Sequence, residues 1–481
     1  MKAVVLPMDE RPPNYRIVQK IGKMLGLEVR LPGRELLGRY MRPGRCEELG
    51  RWLLEESGDA FAISVDMLLF GGLIASRAGD VSEFEALKRL ELLRELRERN
   101  PRSRILLSSI VRRASISVSS AGSRELWERL NRYLRAIGND EEDEARSIES
   151  TFPRGFLESY YRLRSRNHIV NRACVELVKE KIADLLVLAQ EDTFPDGPQK
   201  CELEILDKLS RESGVKESVF IHNGADEVIQ ELLTFTSADR QPLSVDLTYD
   251  SPETEKKIMD FEDRQFGENV GSHMRLVGLT VSGESETSIF IAGSEVERAL
   301  EKLEALSKKK KRIFILDVFR ANGSNRQFVE GFLNMGLENI WGYSAWNTAS
   351  NSLGTLLAVV VAACRSTNSC REIAAFYLSR LLDDHLYQGV LRDELEKRIR
   401  NVGGDEYRVG DSGLLFEEFR DGLFIPRAVE LMEKHFYGRR HDVFGGFVEK
   451  GSISVTDFFL PWDRTFECDL ELREEVRECR R

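Results

Sequence analysis

The chain lacks the spacings that mark zinc sites and disulfide frameworks. Its seven cysteines are scattered from Cys46 to Cys479, and none forms a Cys-x-x-Cys pair. That excludes a zinc knuckle or a cystine scaffold and suits a reducing compartment. The six histidines follow no His-x-His or His-Glu-x-x-His pattern. The glycines form neither a Gly-x-Gly-x-x-Gly fingerprint nor a Walker loop, so these two phosphate cradles are absent. No Gly-x-Ser-x-Gly elbow is present, which leaves a Ser–His–acid hydrolase without support. Long apolar runs are missing as well: the longest, Leu353 to Cys364, is too short to cross a bilayer. Pro7, Asp9 and Glu10 interrupt the apolar opening, against a signal peptide. Positive charge is in deficit, and a formal net charge of -11 argues against nucleic acid or an anionic membrane as partner. The expectation is a cytoplasmic protein acting on a small molecule or oligosaccharide, with a homo-oligomer left open.

What the chain has in quantity is acid at the ends of apolar runs. Val4 to Met8 runs into Asp9-Glu10, Phe61 to Val65 into Asp66, and Leu185 to Gln190 into Glu191-Asp192. Val219 to His222 leads through Asn223-Gly224-Ala225 to Asp226-Glu227, and Ile313 to Leu316 ends at Asp317. Short apolar runs between helical stretches read as buried parallel strands, and the loops at their carboxyl ends build active sites. Capping of the following helices explains each acid singly, but the repetition and the adjacent pairs favour a converging acidic pocket. Eight main strands are expected, starting near residues 3, 60, 104, 184, 218, 243, 313 and 339, with Leu27 to Leu31 as an optional short extra. The fold expected is α/β with a parallel sheet, a (β/α)8-like barrel being favoured over serial doubly wound Rossmann-like domains. Residues 1–355 would form the catalytic domain, with insertions at about 115–166 and 265–295. Residues 356–481 would form a smaller, mostly helical or irregular region packed on the core.

Five constellations carry candidate chemistry. Asp9-Glu10-Arg11-Pro12-Pro13-Asn14 is a stiff loop whose carboxylates, guanidinium and amide suit a polar ligand such as a sugar. Asp66 and Arg77 flank Gly71-Gly72, where a close backbone approach is possible. Glu191-Asp192 and Asp226-Glu227 are adjacent pairs that surroundings can drive to different pKa values, one acid donating a proton while its partner stays ionised. Trp346-Asn347-Thr348 and Asn351 open the apolar helix, where Trp346 would floor a sugar ring and Asn347 or Thr348 would cap. Near the end, Leu460 to Glu467 reads as tail packing against the core.

The run His222-Asn223-Gly224-Ala225-Asp226-Glu227-Val228 resembles the Asp-Glu motif of β-N-acetylhexosaminidases, with Ala225 where that motif usually has a second glycine. Glu191-Asp192 resembles the paired acids of other acetamido-sugar hydrolases with barrel folds. Along nearly the whole chain, the Asp-Glu-Arg-Pro opening, the Gly-Gly-Leu and Ser-Arg segment, the paired acids, the Gly-Ala-Asp-Glu turn, the Trp-Asn-Thr segment and the Pro-Trp tail together resemble a prokaryotic family recorded as a domain of unknown function. That resemblance implies a shared architecture and no established activity.

The leading expectation is a hydrolase of a sugar or sugar conjugate, N-acetylhexosamine substrates among them. Glu227 or Asp192 would be the proton donor and Asp226 or Glu191 the orienting partner. Asp9, Glu10, Arg11, Asn14, Asp66, Arg77, Trp346, Asn347 and Asn351 would bind the substrate, with no cofactor. The alternative is a divalent-metal-dependent hydrolase or isomerase. There Asp9, Asp66, Asp192, Asp226 and Asp317 would hold Mg2+ or Mn2+, and His222 and His273 would add nitrogen ligands. A third expectation is a non-catalytic carbohydrate-binding protein.

Overall fold

The computed structural model describes residues 1–118, 121–236, 241–365 and 370–474. The chain divides into two compact units, the first comprising Met1–Gly22, Gly26–Ala238 and Phe261–Arg264, the second Lys23–Leu25, Asp239–Asp260 and Gln265–Arg481. The break thus falls near residue 239, whereas residue 355 lies within the helix Ala349–Arg365.

The first unit is built on six strands: β1 (Lys2–Leu6), β2 (Glu28–Arg30), β3 (Ala60–Ser64), β4 (Arg104–Val111), β5 (Leu185–Gln190) and β6 (Val219–Asn223). They pair in parallel in the order β2-β1-β3-β4-β5-β6. The apolar runs become strands because both faces of the sheet are covered. Val4, Phe61, Leu107 and Leu186 are fully buried, packed with Leu53, Leu93 and Val175 from the helices of one face. β2 lies on one side of β1 and β3 on the other, so the chain reverses direction across β1. Ligands of such sheets bind outside the carboxyl ends of the strands at that reversal.

The second unit repeats the plan with β7 (Leu243–Tyr249), β8 (Leu279–Val281), β9 (Thr287–Ala292), β10 (Arg312–Asp317) and β11 (Ile340–Ser344). Their order is β11-β10-β9-β7-β8, again all parallel, with the reversal between β7 and β9.

The favoured (β/α)8 barrel is therefore replaced by two open parallel sheets in series. Closure requires β1 to pair with the last strand, but its second edge is taken by β2, the optional three-residue strand. The expected insertion at 265–295 also changes. Phe266–Val277 is a helix, and β9 is the central, wholly buried strand of the second sheet. The expected polar insertion at 115–166 holds the helices Ala121–Gly138 and Glu142–Glu149 and the start of Phe156–Lys179. These close a small apolar cluster that includes Leu130, Tyr133, Ile148 and Tyr160. The C-terminal region is mostly helical, with two short antiparallel strand pairs. Its tail is anchored within that region: Tyr387 donates to the Thr465 carbonyl at 2.6 Å and Gln388 to that of Phe466 at 2.8 Å. No helix among the described residues is long and apolar enough to cross a membrane.

Candidate metal centre and its ionic surroundings

The loop after β1 owes its rigidity to Pro12-Pro13 and to Gln230, whose Nε2 donates to the Pro13 carbonyl at 2.9 Å. Arg11 is thereby aimed at two carboxylates. Its Nε and Nη2 donate to Asp9 Oδ2 at 2.9 and 2.6 Å. Its Nη2 and Nη1 reach the two oxygens of Asp226 at 2.5 and 3.3 Å. Asn14 Nδ2 donates to Asp9 Oδ1 and Asp226 Oδ1, both at 3.1 Å. Asp9, Arg11, Asn14 and Asp226 thus form one buried unit bridging the carboxyl ends of β1 and β6. Glu10 sits at its rim, 3.5 Å from Arg39.

Asp226 and its neighbour Glu227 have opposite surroundings. Glu227 is fully buried, its Oε2 accepts from the Ala225 amide at 2.9 Å, and its Oε1 has no hydrogen-bond partner. Burial first, then the nearby Glu231 and Asp226, holds its carboxyl well above the ordinary carboxylate range. Burial does the same to Glu231. Glu227 lies just before the helix Val228–Thr236 and Glu231 one turn further on, so both project from one helical face. His222, on β6, completes the group. Its Nδ1 lies 3.0 Å from the Asn223 carbonyl, which only accepts, so Nδ1 carries the proton and Nε2 the lone pair. One ligand atom from each of His222, Glu227 and Glu231 lies within 4.8 Å of the others. Two carboxylates and an oriented imidazole in a buried cluster could hold a metal ion, and oxygen with imidazole nitrogen is a donor set that suits a transition metal. A divalent cation would stabilise both carboxylates in their ionised forms.

The other candidate acids of the first unit have separate duties. Asp66 accepts the Ile110 amide at 2.9 Å, fastening the end of β3 to β4, and burial pushes its carboxyl up to about 6. Glu191 pairs with Arg77, whose Nε lies 3.1 Å from Oε2, and Asp192 pairs with Arg113. Arg77 also donates to Ser117 Oγ at 2.6 Å. Burial, and then repulsion from Arg113, lowers the pKa of Arg77.

Gly71 and Gly72 serve the fold. Gly71 has φ 85°, the Gly44 amide donates to its carbonyl at 2.8 Å, and a Cβ there would stand 2.5 Å from the Gly44 nitrogen.

Asp317, Trp346, Asn347 and Asn351 belong to the second unit. Asp317 accepts the Tyr343 hydroxyl at 2.9 Å and the Asn325 amide at 2.8 Å, and burial pushes it to about 7. Trp346 is buried, with Nε1 3.2 Å from Thr355 Oγ1. Thr348 Oγ1 accepts the Asn351 amide at 3.4 Å, so Thr348 caps the helix, while Asn347 takes φ 52° and its carbonyl accepts the Asn322 amide. His273 is a buried residue of the helix Phe266–Val277.

Glu231 escaped sequence reasoning, although its spacing from Glu227 was a usable signal. Arg112 and Arg113 escaped too, although they are the one basic pair directly after a strand whose neighbours end in acid. In comparisons with known proteins, residues 3–471 match the family model described as Protein of unknown function (DUF4127), and no curated protein matches.

Proposed function

We propose that this chain, which belongs to the DUF4127 family, is a divalent-metal-dependent hydrolase acting on a sugar or a similarly polar conjugate. The observation that carries the reading is the buried convergence of His222, Glu227 and Glu231. Imidazole in the donor set favours Mn2+, Zn2+ or a similar ion over Mg2+. A cation there would polarise the scissile bond or lower the pKa of a bound water, and hydrolysis adds that water across the bond. The Asp9–Arg11–Asn14–Asp226 unit lies beside it and supplies fixed dipoles and charge for orienting hydroxyl groups.

A metal-free glycosidase is the second reading, and one contrast favours it. Asp226 is gripped by Arg11 and Asn14, while adjacent Glu227 is driven toward its protonated form. Such a split pair matches one carboxylate that orients and one that donates.

Metal analysis of the purified protein separates the two. The metal reading expects stoichiometric transition metal, with turnover of aryl N-acetylglucosaminides or related conjugates lost to a chelator and restored by Mn2+ or Zn2+. Turnover that survives the chelator would favour the second reading and sink the first.

A further inference from the structure

Arg112 directly follows β4 and is 3 % exposed. Its guanidinium lies 5.1 Å from the centre of the Tyr160 ring. The only hydrogen bond of that guanidinium among the described residues is a long one, Nη1 to the Tyr160 carbonyl at 3.4 Å, and its Nε has no partner. No carboxylate among the described residues forms an ion pair with it. The nearby Glu202 is engaged by Arg164 at 2.7 Å. Burial, with repulsion from Arg164 and Arg166, lowers the pKa of Arg112 to about 10, which leaves it cationic at neutral pH. A buried charge without a counter-ion is costly, and it persists where a ligand supplies the opposite sign.

The backbone around this charge is held firmly. Arg164 Nη1 donates to the carbonyls of Arg112 and Arg113 at 3.2 and 3.0 Å. The Tyr160 hydroxyl donates to the Ala114 carbonyl at 2.5 Å, and the Ala114 amide to that of Asp192 at 3.0 Å. Arg113 pairs with Asp192 yet has its own Nε without a partner. Both arginines sit at the carboxyl end of β4, a central strand of the sheet, next but one to β1 where the strand order reverses.

We propose that Arg112, with Arg113 beside it, binds an anionic group, a carboxylate or a phosphate, on the small molecule this protein acts on. The planar guanidinium fork matches either group through paired hydrogen bonds. This rests on the hydrolase reading and narrows its substrate to an acidic conjugate.

The test titrates inorganic phosphate, and separately acetate and glucuronate, into the full chain after chelator treatment, followed by calorimetry and thermal melting. Saturable binding with a rise in Tm is expected. The preferred anion tells phosphate from carboxylate. Arg112→Met should weaken that binding about tenfold or more. Without ligand it should melt at or above the wild-type temperature, because an uncompensated buried charge is gone. Arg112→Gln gives the same comparison if the methionine variant does not fold. A crystal soaked in phosphate should show the ion on the Arg112 guanidinium. No binding of any of these anions by the wild type, undiminished binding in a folded Arg112 variant, or phosphate seated elsewhere would each overturn the proposal. The titrations use metal-free protein, so failure of the metal reading leaves them interpretable, and loss of anion binding leaves metal content unchanged.

Discussion

Arg11 and Glu227 illustrate how neighbouring side chains at one strand end take different work. Arg11 joins Asp9 and Asp226 with both partners buried. Arg11→Met strips the shared cation from two buried carboxylates, and the expected cost is about 3–5 kcal/mol in urea unfolding. Glu227→Gln keeps the volume and removes the charge of a proposed metal ligand. It should lower transition-metal affinity about tenfold or more and turnover by about two orders of magnitude, with far-ultraviolet circular dichroism unchanged. Asp192→Asn is the contrasting case, since Asp192 is held by Arg113 away from the histidine and two glutamates. It should lower turnover while metal content stays that of the wild type. At this scale the adjacent acids and His222 were legible, because polar residues stand out at the ends of apolar runs. Which of them share a partner was not legible, because Arg11 and Asp226 are 215 positions apart.

Among the elements, the paired glycines after β3 show how a loop can look like a ligand cradle and be a packing device. The Gly71 carbonyl receives the Gly44 amide, and no side chain fits between them. Gly71→Ala combines a strained positive φ with a backbone collision. It should destabilise by about 2 kcal/mol or more, seen as a lower Tm, with metal binding retained by the protein that remains folded. Eight of the strands were legible from their apolar runs, while β8 and the central β9 fell inside an expected insertion. β2 was the element that misdirected the topology: three residues long and mostly exposed, it carries little pattern, yet by occupying the free edge of β1 it decides against a closed barrel.

Over the whole molecule, the buried acids set a pH dependence. Asp66 is raised from 3.8 to about 6, and Asp317 and Asp384 from 3.8 to about 7; Glu227 and Glu231 are raised as well. A carboxyl with a raised folded pKa contributes stability at low pH and loses it as pH climbs from the unfolded to the folded value. Buried histidines act oppositely. His385 is lowered from 6.5 to about 4, and His168, His435 and His441 are also lowered, so their contribution rises with pH and is complete above 6.5. Above pH 6.5 the carboxyl contribution remains. Metal-free protein should therefore lose about 1 kcal/mol or more per pH unit between 6.5 and 8 in urea unfolding. Added Mn2+ or Zn2+ should flatten that slope, because the cation favours the ionised Glu227 and Glu231. A slope that stays steep with saturating metal would argue against those two as ligands.

By itself the sequence determined the parallel α/β character, most strand positions and the acid-rich strand ends, because local hydrophobic pattern and polar punctuation are properties of contiguous residues. The number of sheets, the partner of each acid, the buried convergence of His222 with Glu227 and Glu231, and the solitary charge of Arg112 were decided by the tertiary structure. Each depends on which distant segment fills an edge or faces a buried group, and desolvation and charge pairing act through space rather than along the chain.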